Sequence, residues 1–154
     1  MNHKNTKDNN DSEMIKSINR SLELLKEGYL SEALTLFTEN LKIKWNDSLS
    51  ESGIKCCKYW IQRLSKIDLQ NDDYEKGKLL FSEWEKFESF TITIKNFNKK
   101  VINNAMYLIY TKALNAFKKD LLDNKIVDLE TSYMIGLAYK KIGDYNNAVF
   151  YLFV

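Results

Sequence analysis

Residues 136–148 read GLAYKKIGDYNNA, and they carry the clearest indication of the fold in the chain. Gly143 stands between two segments of helical periodicity, so it predicts the end of one helix and the start of another. Asp144 follows it and is a favoured N-cap residue for the second helix. Ala148 lies early in that second helix, where a small side chain lets two helices approach closely. The stretch therefore predicts a tight helical hairpin.

The same spacing recurs near the start of the chain. In both places a glycine is followed by a small residue after five positions and by a large apolar residue after four more; the two triplets are Gly28, Ala33, Phe37 and Gly143, Ala148, Leu152. A repeated spacing of this kind predicts a repeated structural unit. The sequence predicts two similar hairpins, over residues 14–45 and 128–154, with a divergent helical middle over 48–122.

Composition agrees with an all-helical fold. The 154 residues include no proline and only five glycines, although the turns between strands normally consume both residue types. The sequence predicts an all-α fold of about seven helices, with an uninterrupted helix from about 94 to 122 and a kink or junction at 91–94. It also predicts that residues 1–12 form a disordered polar leader and that residues 13–154 form a single domain.

Local signals place several helix starts. Asp128 and Asp144 each precede an apolar-periodic segment and are predicted N-caps. Ser48 and Glu51 have the spacing of a capping box, in which each side chain bonds the backbone of the other, so Ser48 is predicted to begin a helix.

The sequence lacks the residues that several classes of function require. His3 is the only histidine, and Cys56 and Cys57 are adjacent, so neither a catalytic triad nor a metal site is expected. We predict no catalysis, no metal and no cofactor. The chain begins with polar residues rather than the apolar stretch of an export signal, and no run is long enough to cross a bilayer, so a cytoplasmic protein is expected.

The hairpin of residues 136–148 resembles the tetratricopeptide repeat, a helix-turn-helix unit of roughly 34 residues that stacks into a solenoid. The resemblance rests on Gly136 and Tyr139 in the first helix, on Gly143, and on Ala148 in the second helix. In that family the first glycine permits close helix packing and the tyrosine fills the space between the helices. The N-terminal hairpin matches less well, since Ser21 replaces the first glycine.

The resemblance implies a scaffold or adaptor whose first helices line a concave face that holds a peptide or helix of a partner. On the last repeat that face is predicted to comprise Glu130, Tyr133, Met134, Leu137, Lys140 and Lys141. One branch of the family grips acidic C-terminal tails with lysine and asparagine, but the matching places here hold Tyr133 and Leu137. An apolar or amphipathic segment suits this lining better. Alternatively, Tyr133 and Leu137 pack on the preceding long helix.

The last seven residues are unusually apolar. Residues 148–154 read AVFYLFV and contain no charge, and a helix that is apolar all round must be buried on more than one side. The sequence predicts a contact surface formed by Phe150, Tyr151, Leu152, Phe153 and Val154. Either further residues of a longer protein cover it, or two copies of the chain pair there, which makes self-association an alternative function.

A weaker alternative is nucleic-acid binding through lysine pairs. The three pairs are Lys99-Lys100, Lys118-Lys119 and Lys140-Lys141. The net charge is only +2, and only two of the 23 basic residues are arginine, the side chain best suited to phosphates and bases. Solvated helix faces are therefore the favoured interpretation of these pairs.

Overall fold

The computed structural model describes residues 3–125 and 128–153, and within those ranges it contains seven helices and no strand. The predicted all-α fold of about seven helices is confirmed. In chain order the helices are α1 (His3–Glu27), α2 (Leu30–Ile43), α3 (Ser48–Ile67), α4 (Asp73–Ile92), α5 (Lys99–Asn124), α6 (Leu129–Ile142) and α7 (Tyr145–Leu152). None of the helices in the described ranges is both long enough and apolar enough to cross a membrane.

The chain divides into two compact units, each described here by itself. Unit 1 comprises Met1–Ile61 and Asn96–Asn104, and unit 2 comprises Gln62–Lys95 and Ala105–Val154. Helices α3 and α5 therefore contribute residues to both units.

Helix α1 begins at His3, well before the predicted start near Met14. Residues 3–12 are thus helical where a disordered leader was expected, and residues 1 and 2 lie outside the described residues. The side chains of residues 6–13 are all exposed. Because the stretch contains no glycine or proline, it extends the helix that packing establishes further along, and elongation adds one hydrogen bond per residue without a second nucleation cost.

Unit 1 is built around the α1–α2 hairpin and the first part of α3. Leu25, Ala33, Phe37 and Trp60 are fully buried in it. The ring of Phe37 lies against Gly53 of α3, where an added Cβ would come within 2.6 Å of the ring. Asn98 donates its backbone N–H to the hydroxyl of Ser52 at 3.0 Å, which ties the start of α5 to α3.

A polar cluster lies inside the α1–α2 hairpin. Asn40 of α2 is only 1% exposed, yet its amide is satisfied from both sides. Its Oδ1 accepts from the Ser17 hydroxyl at 2.6 Å, and its Nδ2 donates to the Ser21 hydroxyl at 3.2 Å. Ser21, which stands where the repeat would have glycine, is fully buried and also donates to the backbone carbonyl of Ser17. The hairpin therefore has a hydrogen-bonded interior as well as an apolar one.

Unit 2 contains an aromatic core between α4 and α5. Phe81 makes edge-to-face contacts with Tyr110 at 5.0 Å and Phe117 at 5.7 Å between ring centroids, and Trp84 lies 5.8 Å from Tyr110. Such geometry suits the ring quadrupoles and adds to the stabilisation from burial. Phe117 is fully buried, and its ring lies against Gly77 of α4.

The α4–α5 junction confirms the interruption predicted at 91–94. Helix α4 ends at Ile92, and α5 then runs without a break from Lys99 to Asn124, so the long helix starts five residues later than position 94. Asn96 in this connection has a φ of 60°. Asparagine is among the few residues other than glycine that tolerate this left-handed conformation.

The α6–α7 hairpin is defined by the residues around Gly143. Asp128 accepts from the backbone N–H of Thr131 at the start of α6, and Asp144 accepts from that of Asn147 at the start of α7, so both predicted N-caps are confirmed. Gly143 ends α6 with a φ of 85°, a conformation that glycine adopts without steric cost.

Candidate protein-binding face

The six α6 residues predicted to line a binding face divide into two groups. Glu130, Met134, Leu137 and Lys141 follow one another at spacings of four, three and four, which places them on one side of the helix. Met134 and Leu137 are half-buried, whereas Glu130 and Lys141 are exposed. Tyr133 and Lys140 are exposed on the flank of this stripe, and Tyr133 has 54% of its surface accessible.

The N-terminal end of the stripe is joined to α4. The hydroxyl of Tyr74 donates to the carboxylate of Glu130, and this hydrogen bond is the main reason that the pKa of Tyr74 is raised to about 12. Burial and the negative charges of Glu130, Asp128 and Glu75 act in the same direction. Glu130 is thus held beside the first turn of α4.

The C-terminal end of the stripe is joined to α5. The ammonium group of Lys141 lies 5.9 Å from the ring centroid of Tyr110, within the range of a cation–π contact. Tyr110 itself packs on Phe81 and Trp84 of α4. The two ends of the stripe are therefore anchored to aromatic residues, and the half-buried Met134 and Leu137 lie between them.

These contacts fix the direction of α4 relative to α6. Residues early in the two helices meet at Tyr74 and Glu130, and Trp84 in the second half of α4 and Lys141 at the end of α6 both contact Tyr110 of α5. Helices α4 and α6 consequently run in the same direction, with α5 antiparallel to both. We refer to the surface they share as the α4–α6 face, and it comprises Tyr74, Phe81, Glu85, Glu88, Tyr110, Glu130, Met134, Leu137 and Lys141.

The charge on this face is uneven. Burial raises the pKa of Tyr110 to about 12, and the nearby carboxylates of Glu88 and Glu85 contribute to the shift. Glu88 also accepts a hydrogen bond from Nε1 of Trp84 at 2.9 Å. The negative charges of Glu85 and Glu88 on α4 therefore act on Tyr110.

The predicted repeat-packing residues lie in buried positions or, like Gly28 and Gly143, at helix ends, but the two triplets differ. Ala33 and Ala148 are both buried, and Gly28 has a φ of 89°, much like Gly143. Leu152 packs back on α6 of its own hairpin, where an added Cβ on Gly136 would meet Leu152 Cγ at 2.7 Å, whereas Phe37 packs on the next helix along the chain. Tyr139 is buried and stacks on Tyr151 at 5.7 Å between ring centroids.

The α4–α5 hairpin contains a second instance of the packing between Gly136 and Leu152, which the sequence spacing does not indicate. Gly77 of α4 receives Phe117 of α5 as Gly136 of α6 receives Leu152 of α7. The partners are 40 residues apart in the first case (117 minus 77) and 16 in the second (152 minus 136), because α4 and α5 are much longer helices. In longer helices the contact lies further from the loop. A search for one fixed residue spacing therefore does not detect the repeat.

The predicted C-terminal contact surface is partly used inside the molecule. Tyr151 and Leu152 pack on α6, whereas Phe150 is 63% exposed and Phe153 is 83% exposed. Val154 lies outside the described residues. An apolar patch is therefore exposed along one side of α7.

Several predicted lysine-pair residues make intramolecular contacts. Lys118 lies over the ring of Tyr139 at 5.2 Å, and Lys119 donates to Asp73 at 2.7 Å. Lys119 and Asp73 also border an open cleft of about 330 Å³ between α4 and α5. Each contact gives the cation a role within unit 2.

The cysteines are buried within α3. Cys56 and Cys57 are both fully buried, and burial raises the pKa of each thiol, that of Cys57 to about 12. In the described part of the chain, no group of three His, Cys, Asp or Glu side chains is arranged to hold a metal ion.

Sequence reasoning missed the residues of α4 and α5 that complete the face. Tyr74, Phe81 and Glu88 follow one another at intervals of seven residues, which marks one side of α4. That periodicity could have identified the side of the helix. Nothing in it identifies Glu130 or Lys141 as neighbours, because the contacts of Glu130 with Tyr74 and of Lys141 with Tyr110 form only in the folded chain.

Comparisons of the chain with protein-family models, with curated proteins and with solved structures each return no match.

Proposed function

We propose that this chain is a protein-binding module of the tetratricopeptide kind, which holds a peptide or helix of a partner protein on its α4–α6 face. The observation that carries the proposal is the pair Met134 and Leu137, apolar side chains that are half-buried between the anchored ends of the α6 stripe. A partly exposed apolar stripe between charged residues is typical of a surface that receives an amphipathic segment.

The packing of the helices within unit 2 supports the proposal of a tetratricopeptide-like module. In a tetratricopeptide array the first helices of successive hairpins run parallel and line the binding face, with the second helices behind them. Helices α4 and α6 have the first role in this proposal, and α5 and α7 have the second. The two glycine contacts, Gly77 with Phe117 and Gly136 with Leu152, are the matching close approaches within each hairpin. A scaffold of this sort acts by binding its partner and catalyses no reaction. We also propose that the protein is cytoplasmic.

A direct test is affinity capture from the native cell lysate followed by mass spectrometry, with a Leu137→Glu variant beside the parent chain. Binding of a partner would bury the new carboxylate in an apolar contact, which costs free energy, so the variant should lose the partners of this face. Leu122→Glu is the matched control, because Leu122 is 78% exposed near the end of α5 and the substitution is the same. The proposal requires proteins that the parent and the control retain and the Leu137→Glu variant does not. Identical captures by all three chains would contradict it.

Self-association through α7 is a second candidate, supported by the exposure of Phe150 and Phe153. A two-fold symmetric contact joins the same patch of both copies, so a patch with charges of one sign would repel its copy there. Helix α7 reads YNNAVFYL and has no charged residue, which makes a second copy of this chain the proposed occupant of the patch.

A further inference from the structure

The α4 side of the α4–α6 face has two carboxylates without a basic partner. Glu85 and Glu88 follow Phe81 at four and seven residues, so they continue its side of the helix, and both are exposed. Neither forms an ion pair with a lysine or arginine in residues 3–125 or 128–153. The hydrogen bond that Glu88 accepts from Trp84 is to a neutral indole and leaves its charge uncompensated.

Both carboxylates act on the same point of the face. Glu88 accepts from Nε1 of Trp84 at 2.9 Å, and the ring of Trp84 lies 5.8 Å from that of Tyr110. Glu85 precedes Glu88 by three residues on the same side of α4, and the charges of both carboxylates help to raise the pKa of Tyr110. Lys141 is the cation nearest the same ring in the contacts described, at 5.9 Å from the centroid. Two carboxylates and one ammonium leave this part of the face with one net negative charge.

Carboxylates beside aromatic rings are suited to a cation. An arginine or lysine side chain can donate charge-assisted hydrogen bonds to the carboxylates while its stem packs on an aromatic surface. Phe81 is half-buried and adjoins Tyr110, and Met134 and Leu137 supply further apolar surface on α6. An acidic segment would meet repulsion from the same carboxylates.

We propose that the partner segment bound by the α4–α6 face is basic and amphipathic, with an arginine or lysine at Glu85 and Glu88 and apolar side chains against Phe81, Met134 and Leu137. This inference rests on the proposed function and specifies the chemistry of its partner. One branch of the tetratricopeptide family binds acidic C-terminal tails through lysine and asparagine. The unpaired groups on the α4–α6 face are carboxylates, so the partner proposed here has the opposite charge.

The test uses a display library of random peptides selected on the 154-residue chain, with enriched sequences retested one by one. The decisive variant is Glu85→Gln/Glu88→Gln, since glutamine removes both charges and keeps an Oε1 that can accept the hydrogen bond from Trp84. The matched control is Glu27→Gln/Glu39→Gln, which makes the same change in net charge at two exposed glutamates of unit 1. Unchanged circular dichroism and melting temperature show that each variant is folded.

The inference requires that peptides retained by the parent chain and lost on the Leu137→Glu variant are enriched in arginine or lysine next to apolar residues. Their affinity should fall by about tenfold or more in Glu85→Gln/Glu88→Gln, because a hydrogen-bonded charge loses its partner, and should be little changed in the control. Enriched peptides without basic residues, or equal affinity for both double variants, overturn the inference and leave the proposed function standing. Selection of no peptide that distinguishes the parent from Leu137→Glu overturns both.

Discussion

The ring of Phe117 occupies the space that a side chain at Gly77 would need. A Cβ added to Gly77 would lie 2.6 Å from Cε1 and Cζ of Phe117, well inside van der Waals contact. Phe117 is fully buried, and the rings of Tyr74 and Phe81 make edge contacts with it, so its neighbours must move if the ring moves. The close approach of α4 and α5 in unit 2 therefore depends on glycine at this position.

We expect Gly77→Leu to destabilise the chain by about 1–3 kcal/mol, because overpacking forces neighbouring side chains and backbone to shift. Ser82→Leu is the control, since it inserts the same side chain at an exposed position of α4 and should change stability by less than about 0.5 kcal/mol. Denaturant unfolding monitored by circular dichroism measures both. Equal midpoints for the two variants would show that the packing at Gly77 is looser than described.

We expect Glu130→Gln to lower the pKa of Tyr74 from about 12 towards the ordinary value of 10 for tyrosine. The pKa of Tyr74 is higher in the folded chain than in the unfolded chain. The stabilisation that this difference contributes is therefore fully present below about pH 10 and is lost as the pH rises through 12. Ultraviolet absorbance of tyrosinate during an alkaline titration measures the change. Tyr110 serves as an internal control, because burial and the charges of Glu88 and Glu85 raise its pKa without help from Glu130. A Tyr74 titration that is the same in both chains would refute the hydrogen bond.

We expect both cysteines to be unreactive in the folded chain. The thiolate is the reactive form, and burial raises the pKa of Cys56 and Cys57, so little thiolate exists and reagents have no access. A chromogenic disulfide reagent should label both cysteines at about pH 8, and the rate of labelling should not exceed the rate at which the chain unfolds. Ser82→Cys supplies an exposed thiol on α4 for comparison and should react rapidly. Native cysteines that react as fast as this added thiol would mean that α3 opens locally.

We expect the parent chain to associate as its concentration rises and a Phe150→Ser/Phe153→Ser variant to remain monomeric. The substitutions remove the two exposed aromatic side chains of the α7 patch and with them most of its apolar area. Light scattering over a concentration series gives the mass directly. Leu69→Ser/Leu122→Ser is the control, since both leucines are 78% exposed at other places in the chain. A parent chain that is monomeric at every concentration would exclude self-association through α7.

Helix boundaries with a strong local signal could be predicted from the sequence. The caps at Asp128 and Asp144 and the end of α6 at Gly143 each depend on a few neighbouring residues. The start of α3 was predicted with the wrong capping residue: Asp47, one residue before Ser48, accepts from the backbone N–H of Ser50. Two capping residues in succession give the same local signal, and the backbone geometry decides between them.

The face itself could be predicted only on α6. The sequence predicts Glu130 and Leu137 as face residues from their positions in one helix, whereas Tyr74 is 56 residues from Glu130 (130 minus 74) and meets it only in the folded chain. The same limit applies to Phe37, whose spacing matches that of Leu152 although the two pack on different neighbours. Spacing shows which side chains share a helix face, and tertiary packing determines what that face contacts.

Asn40 gives the α1–α2 hairpin a single register. If α2 slid by one turn along α1, the surrounding apolar side chains would find other apolar neighbours at modest cost. The amide of Asn40 would instead be buried without the hydroxyls of Ser17 and Ser21, a loss of about 1–3 kcal/mol for an unsatisfied polar group. The apolar residues thus hold the two helices together, and the buried amide of Asn40 favours the alignment in which it meets the hydroxyls of Ser17 and Ser21.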